Sequence, residues 1–296
     1  MLLAHLSDVH LGPLPSVRWH QLLSKRVTGY VNWHRNRASA MGASALDAIT
    51  ADLLAHAPDH VAVSGDLTNL ALPQEIARAA DWLRGLGPPE AVSVVPGNHD
   101  AYVPGALALA TRAWSDWMTG ERDGAAYPFL RRRGPVSVVG CSTAEASPPF
   151  LAIGPFRSDQ ALRLERLLEG AAGTFRVVLV HHPPIRGATA ASHAMRGIER
   201  FEGAVRRAGA ELVLHGHTHL PTLHGIATPG GEVPVVGVSA AGQAPGGRRP
   251  AARHNLFHIE GAPGAWRCRW TERGIRPDGT VGEIASRDLS VPVQPT

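Results

Sequence analysis

The 296-residue sequence has very little lysine and cysteine. Lys25 is the only lysine, so the other basic residues are arginines, and the formal net charge is only +4. Cys141 and Cys268 are far apart and belong to no CxxC pattern, which excludes a disulfide framework and a thiolate metal site. No apolar run reaches the roughly 18 residues that a membrane span needs. The charge gives only a weak preference for anionic partners.

Two further features bound the class of protein. No basic region followed by an apolar stretch occurs at the N-terminus, so we expect a cytoplasmic protein. No DNA-binding module or coiled-coil arm is recognisable, so no specific nucleic-acid partner is expected. The hydrophobic content of 44% is ample for a core. We expect one domain over residues 1–275 and a poorly ordered C-terminal tail over residues 276–296.

Strand and helix patterns alternate along most of the chain, which predicts an α/β fold. Strand-length apolar runs lie at Leu2–Leu6, Val61–Ser64, Val92–Val95, Val136–Gly140, Val177–Val180 and Leu212–Leu214. Helical patterns lie at Ala43–Ala55, Gln74–Leu86, Ser158–Leu168 and Ile198–Ala208, with Ser158 as a predicted cap. Three later runs read as consecutive strands, Val233–Val238, Asn255–Glu260 and Ala265–Thr271.

Polar side chains that can bind metal follow five of these strands. The sequence places Asp8 and His10 after the first, Asp66 after the second, Asn98, His99 and Asp100 after the third, His181 and His182 after a fourth, and His217 and His219 after a fifth. Because sites in α/β sheets form outside the carboxyl ends of strands, we expect these loops to converge on one edge. Any one of them alone would be a weak signal, but five in succession are not explained by unrelated turns.

The residue types restrict the chemistry. Carboxylates, an amide oxygen and several imidazoles form a mixed oxygen and nitrogen set, which suits Mn, Fe, Zn or Co and suits calcium poorly. The set has too many donors for one tetrahedral ion. Two ions about 3.5 to 4 Å apart would use them and would clamp the attacking and leaving oxygens of a displacement at phosphorus. The sequence therefore predicts two divalent or transition-metal ions and hydrolysis of phosphate esters.

These motifs resemble those of one known family. "DVH", "GDLT", "PGNHD", "HHPP" and "GHTH" occur in this order between Asp8 and His219. They resemble the calcineurin-like metallophosphoesterases, most closely the bacterial branch that holds class III cyclic-nucleotide phosphodiesterases and glycerophosphodiesterases. The resemblance implies a four-layer α/β/β/α sandwich of two mixed sheets flanked by helices. It also implies that the late strands form the second sheet. The residue pattern between the first strand and Ala43, and not the resemblance, predicts a helical insertion after the first strand.

The resemblance implies a role for each polar residue. Asp8, His10 and His219 would hold one ion, and Asn98, His181 and His217 the other, with Asp66 bridging them. A metal-bridging hydroxide would be the nucleophile, His99 would contact the phosphate and protonate the leaving group, and Asp100 would orient His99. Spacing alone does not separate His181 from His182, and the resemblance favours the first. His215 is expected to be a buried, hydrogen-bonded residue rather than a substrate contact.

The segment of residues 13–40 is not required by the minimal family pattern. Apolar residues in it fall at helical spacing among basic ones, and Gly29 predicts a break between two short helices. Two interpretations stay open. The segment is either a helical hairpin that covers its own domain, or a cap over the metal site. In the second case Arg26 and Arg35 would bind a second phosphate, or residues 17–37 would contact an acyl chain or the membrane surface.

The predicted function is a dinuclear metal-dependent phosphohydrolase, most simply a phosphodiesterase, acting on a phosphorylated small-molecule or lipid-linked substrate. With a cap, the alternative is a pyrophosphatase on a nucleotide- or lipid-linked substrate such as UDP-diacylglucosamine. A nuclease of the same superfamily is a further alternative, but the sequence contains no recognisable nucleic-acid-binding module to support it. A non-catalytic binding scaffold should show gaps among the ligands or at His99, and the sequence has none.

Overall fold

The computed structural model describes residues 1–37, 41, 43–121 and 127–293. Residues 38–40 of the predicted insertion and 294–296 of the predicted tail lie outside the described residues. The strands are β1 (Leu2–Leu6), β2 (His60–Val63), β3 (Val92–Val94), β4 (Phe129–Arg133), β5 (Val136–Gly140), β6 (Gly154–Pro155), β7 (Phe175–Leu179), β8 (Met195–Arg196), β9 (Leu212–His215), β10 (Thr222–Thr228), β11 (Gly231–Gly237), β12 (Arg253–Glu260), β13 (Arg267–Ile275) and β14 (Val281–Leu289). The α-helices are α1 (Arg26–Asn32), α2 (Ala43–Ala55), α3 (Pro73–Leu86), α4 (Ala106–Ala113), α5 (Ser115–Met118), α6 (Ser158–Gly170) and α7 (Ile198–Ala208).

Two six-stranded mixed sheets form the centre of the molecule. The first has the order β14-β13-β12-β1-β2-β3, and the second has the order β10-β11-β9-β7-β5-β4. The strands β1, β2 and β3 are parallel to one another, and so are β5, β7, β9 and β11. The antiparallel pairs involve β12, β13 and β14 in the first sheet and β4 and β10 in the second. Parallel strands of one sheet end at the same edge, so the loops after them meet there.

The sheets pack face to face with helices on both outer faces. Leu3 of β1 packs in a cluster with Leu179 of β7, between the sheets. Leu6, three residues further along β1, packs instead with Leu46 of α2, because side chains an odd number of residues apart in a strand point to opposite faces. On the other side, Val178 of β7 packs against α6 and α7. This arrangement confirms the predicted four-layer α/β/β/α sandwich, and it explains why these strands are apolar on both faces.

The late strands and the C-terminal segment correct two expectations. The late strands do not form a second sheet of their own, because β11 joins β9 whereas β12 and β13 extend the sheet of β1. The predicted tail of residues 276–296 is wrong for Val281–Leu289, which forms β14 and pairs with β13 over its whole length. Leu289 packs in the cluster between the sheets, so burial of this side chain helps to hold the terminal strand in place.

The insertion forms a short 3-10 helix at Trp19–Leu22, then α1, then a π-helical turn at Trp33–Arg37. The break between helices lies before α1 and not at Gly29, which is buried within α1. A Cβ atom on Gly29 would lie 2.3 Å from the Tyr102 hydroxyl. Gly29 therefore allows α1 to pack closely on the domain, which is a different use of glycine from the predicted interruption.

Two smaller points complete the fold. Ser158 is the first residue of α6 and not its cap, since Arg157 precedes the helix with an extended backbone and makes no side-chain cap bond. Among the described residues, no helix combines the length and the apolar character needed to span a membrane.

Candidate metal centre

The ends of five strands bring the predicted ligands together at one edge of the sheets. Three overlapping groups of side chains each have ligand atoms within 4.8 Å of one another: Asp8, His10 and His219; His10, Asp66 and His99; and Asp66, His181 and His217. Asp66 Oδ2 lies 3.8 Å from His10 Nε2 and 3.4 Å from His181 Nε2, so one carboxylate oxygen faces both ends of the cluster. Asn98 Oδ1 lies 3.1 Å from His181 Nε2 and adds the amide to the second end.

The backbone is strained at five of the seven predicted ligands. Positive φ angles occur at Asp8 (53°), His10 (44°), Asp66 (56°), His217 (67°) and His219 (57°). Side chains other than glycine rarely adopt this left-handed conformation, which costs on the order of 1 kcal/mol or more at each position. Such strain collects at functional sites, where the surrounding structure holds side chains in a required direction. The strain here turns these side chains towards one another.

Backbone carbonyls fix the orientation of three histidine rings. His10 Nδ1 lies 3.0 Å from Thr68 O, His181 Nδ1 lies 2.6 Å from Ser64 O, and His217 Nε2 lies 2.9 Å from His193 O. Because a carbonyl can only accept, each of these nitrogens carries the proton. The other nitrogen of each ring faces the cluster. This is how proteins orient histidines that bind metals.

The donor set fits bound cations. His181 Nε2 and His217 Nδ1 are 3.3 Å apart, and in the tautomers set by the carbonyls both present lone pairs, which repel unless a positive charge lies between them. Among the described residues, His219 Nδ1 is buried without a hydrogen-bond partner, and Asp8 Oδ1 lies 3.2 Å from His219 Nε2. Burial would lower the pKa of His181, but the carboxylate of Asp66 beside it raises that pKa to about 9. The site thus attracts positive charge, and its oxygen and nitrogen donors suit transition metals.

Glycine is required next to the shared carboxylate. A Cβ atom on Gly97 would lie 2.1 Å from Asp66 Oδ1 and 2.6 Å from Asp66 N. No rotation of the Asp66 side chain would relieve the contact with its backbone nitrogen. The loops that follow the neighbouring strands β2 and β3 can therefore approach this closely only with glycine at position 97.

The histidines outside the cluster have structural partners. His182 uses both ring nitrogens, one 2.7 Å from Thr143 Oγ1 and the other 3.1 Å from Ala152 O. His181, whose Nε2 faces Asp66, is therefore the residue of this pair that the geometry places in the cluster. His215 is buried and bonded to Gly216 O and Thr222 Oγ1, as expected.

His99 and Asp100 have different partners from those predicted. His99 Nδ1 lies 2.6 Å from Asn69 O, so a backbone carbonyl fixes its tautomer. The Asp100 carboxylate accepts hydrogen bonds from the backbone N–H groups of residues 66–68 and from Gly97 N–H. Asp100 thus holds the loop that carries Asp66, and the prediction that it orients His99 is corrected.

A cavity of about 740 Å³ opens over the cluster, which is large enough for a nucleotide-sized ligand. Asp66, Asn98, His99, His217 and His219 line its floor. One face of α1 lines a wall, with residues Lys25, Thr28, Gly29 and Asn32 at helical spacing. The insertion therefore forms one wall of the cavity, and Leu14, Val17 and Tyr30 of the same segment pack on the domain itself.

The basic residues at the cavity are not those expected from the sequence. Arg26 donates hydrogen bonds to Leu70 O and Ala71 O, and neither Arg26 nor the exposed Arg35 is among the described residues that line the cavity. Lys25, Arg248 and Arg249 line it instead. The sequence shows Lys25 as the only lysine and Arg248 and Arg249 as an adjacent basic pair. It does not show that they lie at the cavity, because tertiary packing decides that.

Two further residues beside the cluster were missed. The Tyr102 ring stacks on His99, with ring centroids 5.3 Å apart and planes 26° apart. Lys25 Nζ lies 4.9 Å from the centroid of the same Tyr102 ring. His193 supplies the carbonyl that orients His217. Nothing in the sequence marks these residues, because none belongs to a motif.

The sheets and the cluster at their edge define a metallophosphoesterase fold, and comparison with known proteins agrees. A family model described as calcineurin-like phosphoesterase matches residues 1–221 of the 296. The chain belongs to the calcineurin-like phosphoesterase family. The family uses divalent metals, and the His and Asp groups of the cluster could hold such ions.

Comparison with solved structures finds similar chains at low sequence identity. Purple acid phosphatase PPD1 from yellow lupin (Lupinus luteus) seeds is 14% identical with a TM-score of 0.60, covering 98% of this chain and 53% of that one. A 5'-nucleotidase precursor from Thermus thermophilus is 15% identical with a TM-score of 0.49, covering 99% and 54%. A Vps29 double mutant from Entamoeba histolytica is 14% identical with a TM-score of 0.46, covering 98% and 100%. This chain thus spans about half the length of the first two, and no curated protein matches it.

Proposed function

We propose that this protein is a dinuclear metal-dependent phosphodiesterase. The observation that carries the proposal is the position of Asp66, whose Oδ2 faces His10 on one side and His181 on the other. Asp8, His10 and His219 would hold one ion, and Asn98, His181 and His217 the other, with Asp66 between them. The ions would be Mn, Fe, Zn or Co, because the donors are mixed oxygen and nitrogen.

Residues of the chain have defined parts in the reaction. When bound, the ions supply positive charge and an activated water for attack at phosphorus. His99 donates its Nδ1 proton to Asn69 O, so we assign the contact with the substrate to Nε2. In its protonated form, His99 gives a proton from Nε2 to the leaving-group oxygen. Stacking of Tyr102 on the ring limits its rotation, and Asp100 keeps the Asp66 loop in place.

The test uses bis(p-nitrophenyl) phosphate as diester and p-nitrophenyl phosphate as monoester, titrated with Mn²⁺. We expect metal-dependent turnover that is faster on the diester. His99→Ala should lower kcat by about 10²- to 10⁴-fold, the usual contribution of a general acid. Asn98→Ala should raise the Mn²⁺ concentration needed for activity. His258→Ala, at an exposed histidine of β12, is the control and should change neither.

The results separate the competing functions. Faster turnover of the monoester would identify a phosphomonoesterase instead. No metal-dependent turnover of either ester would favour the non-catalytic scaffold.

A pyrophosphatase on a nucleotide- or lipid-linked substrate, such as UDP-diacylglucosamine, is the second candidate. The cations Arg248 and Arg249 at the cavity favour it, because they could bind a second phosphate. Replacing Arg248 and Arg249 together by alanine should then raise KM for the pyrophosphate substrate and leave KM for bis(p-nitrophenyl) phosphate unchanged. Arg35→Ala is the control. Equal effects on both substrates would contradict this candidate.

A cytoplasmic protein with peripheral membrane contact through residues 17–37 is part of the same candidate. Trp19, Leu23, Val27 and Val31 are exposed, and Val27 and Val31 lie on the face of α1 opposite its cavity-lining residues. An exposed apolar surface of this kind fits the boundary of a bilayer. We expect co-sedimentation with vesicles containing anionic phospholipid, reduced in Trp19→Ser with Leu23→Ser. Binding that is unchanged in this variant would contradict the proposed contact.

A further inference from the structure

Phe150 combines three unusual features. It is 81% exposed, although it is a large apolar side chain. Its φ angle is +67°, which is rare for a bulky residue. It also lines the cavity over the metal centre. In the described part of the chain, eight non-glycine residues have positive φ; five are predicted metal ligands, two are alanines, and Phe150 is the eighth.

The local turn does not explain the phenylalanine. Leu151 N donates to Pro148 O at 3.2 Å, which closes a four-residue turn with Pro149 and Phe150 in the centre. Proline followed by a residue with positive φ is the pattern of a type II turn, whose third position favours glycine or asparagine. The turn would form more easily without a side chain at this position. A phenylalanine at this position therefore destabilises the turn relative to glycine.

The turn is held against the walls of the cavity. Lys25 Nζ donates to Leu151 O and to Ser147 Oγ, both at 2.8 Å. On the other side, Ala152 N donates to Ser192 O at 2.9 Å. The lone lysine thus links α1 to the turn, and Phe150 is presented on a fixed support. A backbone that is already held in place loses little conformational entropy when a ligand binds to the turn.

The surroundings of Phe150 favour a flat polar ring over a lipid chain. An acyl chain needs a continuous apolar channel, whereas this cavity also carries polar side chains from Asn32, Gln243, Arg248 and Arg249. A planar aromatic group can stack on Phe150 and hydrogen-bond at its edge to such groups. The membrane is a weaker explanation, because the exposed Val27 and Val31 lie on the opposite face of α1 from the cavity.

We propose that Phe150 forms a stacking subsite for a planar aromatic group esterified to the phosphate that the metal centre binds. The shared chemistry is a flat ring joined to a phosphoryl group, as an aryl ester or as a nucleoside phosphate. Lys25 is the positioning residue that holds the turn. This proposal rests on the proposed function, because it assumes that the metal centre binds the phosphate of the ligand. The subsite would then help to determine which substrate is chosen.

The test measures binding without turnover. Mn²⁺-loaded protein is titrated by calorimetry with phosphonates, which resist hydrolysis: methylphosphonate, hexylphosphonate, phenylphosphonate and the methylenephosphonate analogue of adenosine 5'-monophosphate. Stacking on one aromatic side chain strengthens binding by roughly 5- to 100-fold. We expect both aromatic ligands to bind more tightly than methylphosphonate by a factor in this range, and hexylphosphonate to gain less. The affinities of phenylphosphonate and of the adenosine analogue show whether the subsite prefers an aryl group or a nucleobase.

Variants of Phe150 identify the source of the preference. Phe150→Ala and Phe150→Leu should bring the aromatic ligands to within about threefold of methylphosphonate, and Phe150→Tyr should keep the preference. Leu162→Ala, at an exposed leucine of α6, is the control. Phe150→Gly should lose the preference and melt at a higher temperature than Phe150→Ala, because glycine relieves the positive φ. That higher melting temperature would show that lost binding is not due to misfolding.

Several results would overturn the subsite. They are an equal gain for hexylphosphonate and phenylphosphonate, no aromatic preference in the native protein, or a preference that survives in Phe150→Ala. Loss of vesicle binding in Phe150→Ala with unchanged phosphonate binding would show a membrane contact instead. An aromatic preference that persists in a protein without phosphoesterase activity would refute the proposed function alone.

Discussion

The buried ion pair between Arg176 and Glu211 fixes two strands that lead to the metal centre. Arg176 lies in β7, which ends before His181, and Glu211 directly precedes β9. Glu211 accepts hydrogen bonds from Arg176 N, Nε and Nη2 at 2.6, 3.0 and 2.8 Å. The two side chains are only 5% and 2% exposed. Removing one partner would leave a buried charge without compensation.

The expected loss is large. Breaking a buried pair from one side costs about 3–5 kcal/mol. For 296 residues, an unfolding entropy of about 2.1 cal/mol/K per residue gives about 0.6 kcal/mol/K in total. Glu211→Gln should therefore lower Tm by about 5–8 °C. The double variant Arg176→Met with Glu211→Leu should recover most of the lost Tm, because replacing both charges of a buried pair by apolar groups is often neutral.

An exposed pair with the same geometry is the control. Arg207 donates to both Glu165 oxygens, at 2.7 and 2.8 Å, but its side chain is 58% exposed. Glu165→Gln should cost less than about 1 kcal/mol. The assay is urea unfolding at constant m-value, with thermal melts alongside. A cost below about 1 kcal/mol for Glu211→Gln, or a double variant as unstable as the sum of its singles, would refute the reasoning.

Two other variants test the site and the pH dependence of stability. Gly97→Ala should abolish Mn²⁺ binding while the protein still folds, because the added Cβ displaces Asp66; calorimetry that shows native affinity would contradict this. Burial alone would raise the pKa of Asp52, but hydrogen bonds from Arg273 and His254 lower it to about 2, with His56 also nearby. Asp52 therefore stabilises the fold above about pH 4, and this stability is lost as the pH falls through 2. In Asp52→Asn, the free energy of unfolding should fall less between pH 4 and pH 2 than in the native protein, and equal slopes would contradict the assignment.

Much of the fold was predictable because its signals are local. The bounds of α2, α7 and β5 agree with the apolar patterns, since each has a regular period and clear ends. The meeting of Asp8, Asp66 and Asn98 followed from a general rule, that parallel strands of one sheet deliver their following loops to one edge. Neither inference needed the position of a distant side chain.

The failures concern contacts between distant segments. The edge strand β14 has few buried side chains, so its sequence resembles a loop, and pairing with β13 decides its structure. Arg26 looked free to bind phosphate, but carbonyls of Leu70 and Ala71 that no pattern reveals take up its guanidinium. Asp100 likewise supports the loop of Asp66 rather than the ring of its neighbour His99. Such partners are set by tertiary packing and not by spacing.

The metal content of the purified protein, loaded with Mn²⁺ and freed of excess by gel filtration, tests the central claim most directly. Two ions sharing Asp66 predict about two Mn per native chain by elemental analysis, and fewer than one in Asp66→Ala. A native protein that retains one ion or none, or an Asp66→Ala variant that still retains two, would contradict the account.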